Sequence, residues 1–528
     1  MNDVLFVDNF AGGGGASTGI EMAIGRSVDI AINHDPEAIR MHKVNHPDTR
    51  HYCENVFDVD PKEACKNKRV ALAWFSPDCT HFSRAKGGKP VDKNIRGLAW
   101  VTVRWAYCVR PSVMMLENVP EIMTWGPIGE NGKPIKERAG ETFEGFISVL
   151  TTGLHKTHPA FKEMCDVLEI NCDSVMADEL SKGLGYEVEY KNLKSCDFGA
   201  PTSRNRFYMI ARSDGRKIKW PKRTHAGKNT KEVKDGKLKP YRTAAECIDW
   251  NIPAQSIFER KKPLCENTLR RIARGIKKFV IDNPEPFVIN YKFNNPPKGV
   301  QEPLTTVTSV NNHYLVTPTL IQYHSETSDN EVRGQAIDKP IMTIDTQPRY
   351  ALSVAHIMKN YGGNYKGAGS NAKEPLHTVT AVDHNSLVTT HIMTMRKNMD
   401  GQKVDEPLST ISCSGGHHAE VQAFLVKYFS TGTAHSVDKP IDTLTSKDRF
   451  ALVMIDGCEY VITDIRMRML TPREMFNAQG FPKDYIIDHD TEGKSYSRKE
   501  QVARCGNAVT PPVPAAMVRA NLPEYCLN

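Results

Sequence analysis

Five short apolar runs punctuate the first 212 positions: VLFVDNF, SVDIAIN, RVALAWFS, PSVMMLENV and FYMIAR. Each is bounded by polar or turn-forming residues, which predicts strands. The stretches between them carry helical periodicity, so residues 1–212 read as an α/β zone. The pattern changes after residue 212. A polar basic stretch gives way to a predicted helix, with Asn267 or Thr268 as its cap and Leu269, Ile272, Ile276 and Phe279 along one face. Residues 461–528 return to α/β character through RMLTPREMFNAQGFP and a terminal helical stretch.

An internal repeat occupies the middle zone. It reads EPLTTVT at 302–308, KPIMTID at 339–345, EPLHTVT at 374–380, EPLSTIS at 406–412 and KPIDTLT at 439–445. The prolines at 303, 340, 375, 407 and 440 are spaced by 37, 35, 32 and 33 residues. Proline opens each unit, and Thr, Val and Ile continue it as a strand. A polar turn and another apolar run follow, as in HYLVTPTLI, RYALSVAHIM and RFALVMID. Units of this kind bury their faces by stacking on neighbours, so residues 302–453 are expected to form five β-rich repeats. Their turns (SVNNH, DTQPR, AVDHN, SCSGGHH and TSKDR) are rich in hydrogen-bonding side chains. Such residues belong in turns on conformational grounds alone.

Composition narrows the class. The chain has 528 residues, 40% of them hydrophobic and 25% charged, an ordinary globular balance that suggests two to four domains. No apolar run approaches the ~18 residues of a membrane span, and MNDVLFVDNFAGGGG has no signal-peptide pattern. The 13 cysteines are scattered without a C-x-x-C pair, against a disulfide framework or a structural zinc site. The chain is therefore expected in the cytoplasm with reduced thiols. Charge is uneven. Residues 213–242 hold 11 basic against 3 acidic residues, and 259–278 hold 8 against 2. Two neighbouring basic segments suit a polyanion, most simply nucleic acid, although a solvated linker and a surface helix would look the same.

The candidate chemistry sits at strand ends. Leu5, Phe6 and Val7 run into Asn9, Phe10, Ala11 and four glycines, then a helix; such a turn lets backbone N–H groups approach a nucleotide-like cofactor. The second strand ends at His34 and Asp35, the usual place of a ribose-binding acid. The run ALAWF leads into Ser76-Pro77-Asp78-Cys79-Thr80-His81-Phe82-Ser83, where a cysteine can act as a thiolate. The run SVMML ends in Glu117-Asn118-Val119-Pro120, and a glutamate there is costly to bury unless paired or used.

These residues resemble the cytosine-5 DNA methyltransferases. The family's acid and Phe-Ala-Gly-x-Gly-Gly match Asp8 to Gly15, with Asn9 inserted before the Phe; Cys-x-x-Phe-Ser matches Cys79, Phe82 and Ser83; Glu-Asn-Val matches Glu117 to Val119. Arg-x-Arg falls on Arg204 and Arg206. Arg-x-Leu-Thr-x-x-Glu and Gly-Phe-Pro match Arg468, Leu470, Thr471, Glu474 and Gly480 to Pro482, and the last block matches Gly506 to Pro512. This sequence departs from the family at Asp78, Thr80 and Thr202, and carries His34 where a ribose-binding Glu is usual.

The resemblance implies a Rossmann-like S-adenosylmethionine-dependent methyltransferase domain, 1–212 completed by 461–528, with a large β-rich target-recognition domain inserted at 213–460. It implies Cys79, Glu117, Arg204 and Arg206 as the catalytic set. Phe10, Ala11, Gly12, Gly14, His34, Asp35, Asn55, Asp58, Pro77, Asn507 and Val509 would bind S-adenosylmethionine, and no metal is expected. Double-stranded DNA would be the partner, met by the chain as a monomer in a bacterial or phage-infected cell. Ser83, Lys222, Arg223, Asn312, Arg349, His384, His417 and Arg449 are the candidate DNA contacts. The rival readings are an RNA cytosine-5 methyltransferase of the same family and a DNA-binding repeat protein with an impaired catalytic domain. An exocyclic-amine methyltransferase is disfavoured, because its Asp/Asn-Pro-Pro-aromatic loop is missing.

Overall fold

The computed structural model describes residues 4–78, 97–129, 134–243 and 470–527, with strands and short segments between 245 and 468. The chain divides into two compact units. The first comprises Met1–Phe198, Asn205–Thr224 and Gly480–Asn528; the second comprises Gly199–Arg204 and His225–Gln479.

The first unit is an α/β fold of the Rossmann-like kind, with a mostly parallel central sheet. Seven strands, β1 (Val4–Asn9), β2 (Ile30–Ile32), β3 (Arg50–Tyr52), β4 (Arg69–Phe75), β5 (Val113–Asn118), β6 (Glu187–Lys194) and β7 (Asn205–Arg212), form one sheet in the order 3-2-1-4-5-7-6. Strands β1 to β5 pair in parallel, and β7 lies antiparallel between β5 and β6. The five apolar runs of the sequence are β1, β2, β4, β5 and β7. The other two strands are edges. All three residues of β3 are only half-buried, and most of β6 is exposed, so neither needs an apolar run.

Side-chain alternation divides the core between the two faces of the sheet. Met114 and Leu116 of β5 join Phe207, Met209 and Ala211 of β7 on one face, under Trp100, Trp105, Phe143 and Phe146. Val113, Met115, Tyr208 and Ile210 point to the other face, where α1 (Gly15–Ile24) and the C-terminal helix Pro512–Asn521 cover them. An irregularity in the β1–β4 pairing at Ala71 puts both Ala71 and Leu72 on this second face. Helix α2 (Pro36–Asn45) links β2 to β3 and starts as its sequence dictates, with Asp35 as cap and Pro36 in the first turn.

The second unit contains an antiparallel sheet ordered Gln255–Ser256, Cys458–Arg468, His418–Lys427, Ser386–Thr394, Thr319–Gln322 and Tyr350–Ala351. Apart from Gln255–Ser256, its strands come from the segments that follow the repeat copies. The five repeat segments themselves, and the helix expected after Thr268, lie outside the described residues.

Candidate active site

The order of strands reverses between β1 and β4, and open α/β sheets bind ligands in the crevice beyond the strand ends at such a switch. At the end of β1 the chain turns sharply. Phe10 adopts a left-handed φ of 66°, the Gly14 amide donates to the Ala11 carbonyl (2.9 Å), and the Ala11 amide donates to Ile32 at the end of β2 (3.0 Å). Gly14 caps α1 with φ 79°, so a side chain there would be strained and would also strike the Tyr485 hydroxyl. A Cβ on Gly15 would collide with the backbone of Val509. Val509 is thereby buried against the glycine turn, while Asn507 is exposed at the end of helix Arg498–Asn507. The cap residue of α1, Gly14, has no side chain and so makes no capping bond to the helix.

At the end of β2 the two candidate ribose contacts separate. One oxygen of Asp35 accepts the Glu37 amide (2.9 Å), and the other pairs with Arg504 (2.6 Å). The protein itself engages the whole carboxylate; His34 is exposed. Beyond β3, Asn55 and Asp58 are both exposed and share a tight turn in which the Asp58 amide donates to the Asn55 carbonyl (2.9 Å).

The ends of β4 and β5 are fastened to each other and to the glycine turn. Ser76 donates its amide to the Asn9 carbonyl and its hydroxyl to the Phe10 carbonyl, both at 3.3 Å. Asn118 donates its side-chain amide to the Pro77 carbonyl (3.1 Å) and accepts from the Val119 amide (2.8 Å). Glu117 is buried, with Arg206 Nε 3.4 Å from its carboxylate. The β5–β7 register, which pairs Asn118 with Phe207, puts Arg206 at this strand end. Cys79, two residues beyond Pro77, lies outside the described residues, as do Ser83, Asn312, Arg349, His384, His417 and Arg449. Arg204 belongs to the second unit and is buried; its amide donates to the Thr202 hydroxyl (3.3 Å), so the departure at Thr202 serves a local turn. Lys222 and Arg223 are exposed.

Behind the glycine turn lies a polar chain that the sequence did not announce. The Ser17 hydroxyl donates to buried Asp8 (2.7 Å), His42 Nε2 meets Ser17 at 2.9 Å, and His51 Nε2 meets His42 Nδ1 at 2.8 Å. Burial pushes Asp8 up to about 7, and burial holds His42 well below the usual histidine value and His51 down at about 4. Both rings are thus neutral at pH 7. Protons can order along the row in two ways: from His51 through His42 and Ser17 to an ionised Asp8, or in reverse from a protonated Asp8. The available signal was weak, merely one histidine on α2 and another within β3.

The Arg-x-Leu-Thr block is a clamp within the second unit. Arg468 grips Glu474 with two nitrogens (3.0 Å each), Thr471 caps the helix Pro472–Ala478 in a capping box, and the Asp249 amide donates to Glu474 (2.8 Å). Among the described residues, no group of three or more His, Cys, Asp or Glu is arranged to hold a metal, and no helix is long and apolar enough to cross a membrane.

A sequence model of the C-5 cytosine-specific DNA methylases matches residues 4–127 and 168–521, most of the chain. The chain belongs to that family. Among its relatives, the Type II methyltransferase M.AquIA of Picosynechococcus is 25% identical over 253 residues, 46% of this chain and 88% of that protein. M.AgeI of Thalassovita gelatinovora, another Type II methyltransferase, is 25% identical over 227 residues; the match spans only 42% of either protein. The solved methyltransferase EhMeth of Entamoeba histolytica covers 99% of both chains at 12% identity, with a TM-score of 0.40.

C-5 cytosine methylases use S-adenosylmethionine, and the first unit of this methylase fits it. The uncapped start of α1 suits a carboxylate. At Gly12 a Cβ would meet only the Phe10 carbonyl, at 3.7 Å, so the turn is open there. Phe10 is half-buried against the core, and His34, Asn55 and Asp58 are exposed beyond the ends of neighbouring strands.

Proposed function

We propose that this methylase transfers a methyl group to C5 of cytosine in double-stranded DNA through a covalent bond between Cys79 and C6. The observation that carries the reading is the Glu117–Arg206 pair at the end of β5, beside a Pro77 that Asn118 holds in place. Two residues on, Cys79 would begin its loop at the switch point of the sheet.

C5 of cytosine is too weak a nucleophile to take a methyl group unaided. Attack of the Cys79 thiolate on C6 breaks the C5=C6 double bond and delivers its electron pair toward C5. Glu117, hydrogen-bonded at N3 and sharing a proton there, would offset the charge that develops on the ring. Arg206 steadies Glu117 and, with Arg204, would bind the base's O2. S-adenosylmethionine, when bound, supplies an electrophilic methyl group on sulfur. Once C5 is methylated, a base removes the C5 proton, the double bond re-forms and the thiolate leaves. None of this can happen inside a stacked duplex, so the cytosine must flip out.

Phe10, Ala11, Gly12, Gly14, Pro77, Asn507 and Val509 would line the cofactor site. His34 would take the ribose, because Asp35 is already engaged by Arg504 and the α2 N-terminus. The second unit, with its antiparallel sheet and repeats, would be the recognition domain. Lys222 and Arg223 would contact phosphates, and the repeat turns with Asn312, Arg349, His384, His417 and Arg449 would approach base edges, alongside Ser83. The chain would act as a monomer in the cytoplasm of a bacterial or phage-infected cell.

The test is transfer of labelled methyl to mixed-sequence duplex DNA and to RNA, followed by nucleoside analysis. The reading expects 5-methylcytosine in DNA, at least ~10³-fold less from Cys79→Ser, and roughly 10²–10⁴-fold less from Glu117→Gln. Label in RNA alone would overturn the substrate; N4-methylcytosine or N6-methyladenine would overturn the chemistry.

A further inference from the structure

The glycine turn is held from behind by groups outside its own motif. The Tyr485 hydroxyl donates to the Gly13 carbonyl (2.8 Å) and the Thr18 hydroxyl donates to the Gly14 carbonyl (2.7 Å). Thr18 lies 3.3 Å from His46 Nε2, whose ring is anchored through Nδ1 to Glu21 at 2.7 Å. Tyr485 is buried, its ring packed on Phe481 with centroids 4.7 Å apart and facing His46 at 6.1 Å. Burial pushes its hydroxyl far above the usual tyrosine value, so it remains a neutral donor.

Peptide planarity turns these contacts into a constraint. The Gly13 carbonyl and the Gly14 N–H share one rigid plane and point in opposite directions. Fixing the carbonyl on Tyr485 therefore fixes the Gly14 N–H, which closes the turn on Ala11. Glycines have no side chains to hold such a turn, and they lose more conformational freedom on ordering than other residues. An external hydrogen bond is the means available.

We propose that Tyr485 is a positioning residue for S-adenosylmethionine binding, which sets the Ala11–Gly14 turn through the Gly13 carbonyl. It comes from the segment after Gly-Phe-Pro, 472 residues along the chain, so the turn is complete only once the C-terminal piece has docked. The inference rests on the reading of this turn as the cofactor site, and it assigns a role to a residue outside the aligned motifs.

Tyr485→Phe removes one oxygen and keeps the ring. Calorimetry of the full chain with S-adenosylhomocysteine, a stable product of the reaction, is expected to show Kd raised about 5- to 10-fold. At saturating S-adenosylmethionine kcat should remain within twofold of wild type, and KM for DNA should not move. Amide exchange should rise in the peptide covering residues 10–17 with little change elsewhere. Thr18→Ala, which removes the neighbouring donor, should shift Kd in the same direction. An unchanged Kd with a lowered melting temperature would make the hydroxyl merely structural and overturn the inference. A wild type that binds neither S-adenosylmethionine nor S-adenosylhomocysteine would instead overturn the cofactor site itself.

Discussion

At the scale of single residues, the site is built from polar groups that burial forces into specific partnerships. Asp8 is the extreme case: fully buried, bonded to Ser17 by one oxygen, with no hydrogen-bond partner for the other. Its folded pKa of about 7 lies above the ordinary carboxylate value of 3.8. The folded chain thus keeps a proton that the unfolded chain releases, and stability falls as pH rises from about 4 to 7. His42 and His51 act the other way below pH 6.5, since their folded forms resist protonation. Asp8→Asn removes only the first effect. Its melting temperature relative to wild type should climb between pH 4 and 7 and level off above; a constant offset would mean that Asp8 does not titrate there. The aspartate itself was visible as a motif residue, but its Ser17–His42–His51 chain was not. Hydrogen bonds between α1, α2 and β3 leave no spacing in the sequence for a reader to find.

At the scale of elements, hydrophobic alternation carried the most information. The two central strands β4 and β5 are buried on both faces, so their apolar runs are continuous and easy to see. Met115→Ala, a fully buried methionine on β5, should cost about 2–5 kcal/mol in thermal or denaturant unfolding. Strand β6 was illegible for the opposite reason. It lies at the edge, and EVEYKNLK presents mostly exposed side chains, with Glu189 accepting a hydrogen bond from Trp220. The Arg-x-Leu-Thr block shows a different limit of motif reading. Its order and spacing identify the family, yet Arg468 and Glu474 serve each other and a helix N-terminus. Arg468→Ala leaves a buried glutamate without this partner and should destabilise the second unit by about 3–5 kcal/mol. The doubly apolar Arg468→Met with Glu474→Leu should lose less. Equal losses would indicate that the pair is not coupled.

At the scale of the whole molecule, the glycine turn at the start of the chain depends on Tyr485, Arg504 and Val509 near its end, with the second unit between them in sequence. The order of motif blocks was legible because each is short and local. The closure of α1 by Val509 was not, because it is a contact between distant backbones that glycine merely permits. Under the proposed function the basic stretch would meet phosphates. Lys222→Ala with Arg223→Ala should weaken DNA binding about equally for every sequence and reduce the salt slope by roughly 1–2. A change in sequence preference would instead make these residues base readers.

The central claim is covalent methylation of DNA by Cys79, and a trapped adduct tests it most directly. Fluorine in place of the C5 hydrogen cannot leave as a proton, so a methylated intermediate on 5-fluorocytosine cannot release the cysteine. Incubation of the full chain with S-adenosylmethionine and duplex DNA carrying 5-fluorocytosine at its methylation site should give a complex that survives denaturation. Peptide mapping should place the bond on Cys79, and Cys79→Ser should form no such complex. Turnover of normal DNA to 5-methylcytosine by Cys79→Ser, or an adduct mapped to another residue, would contradict the account.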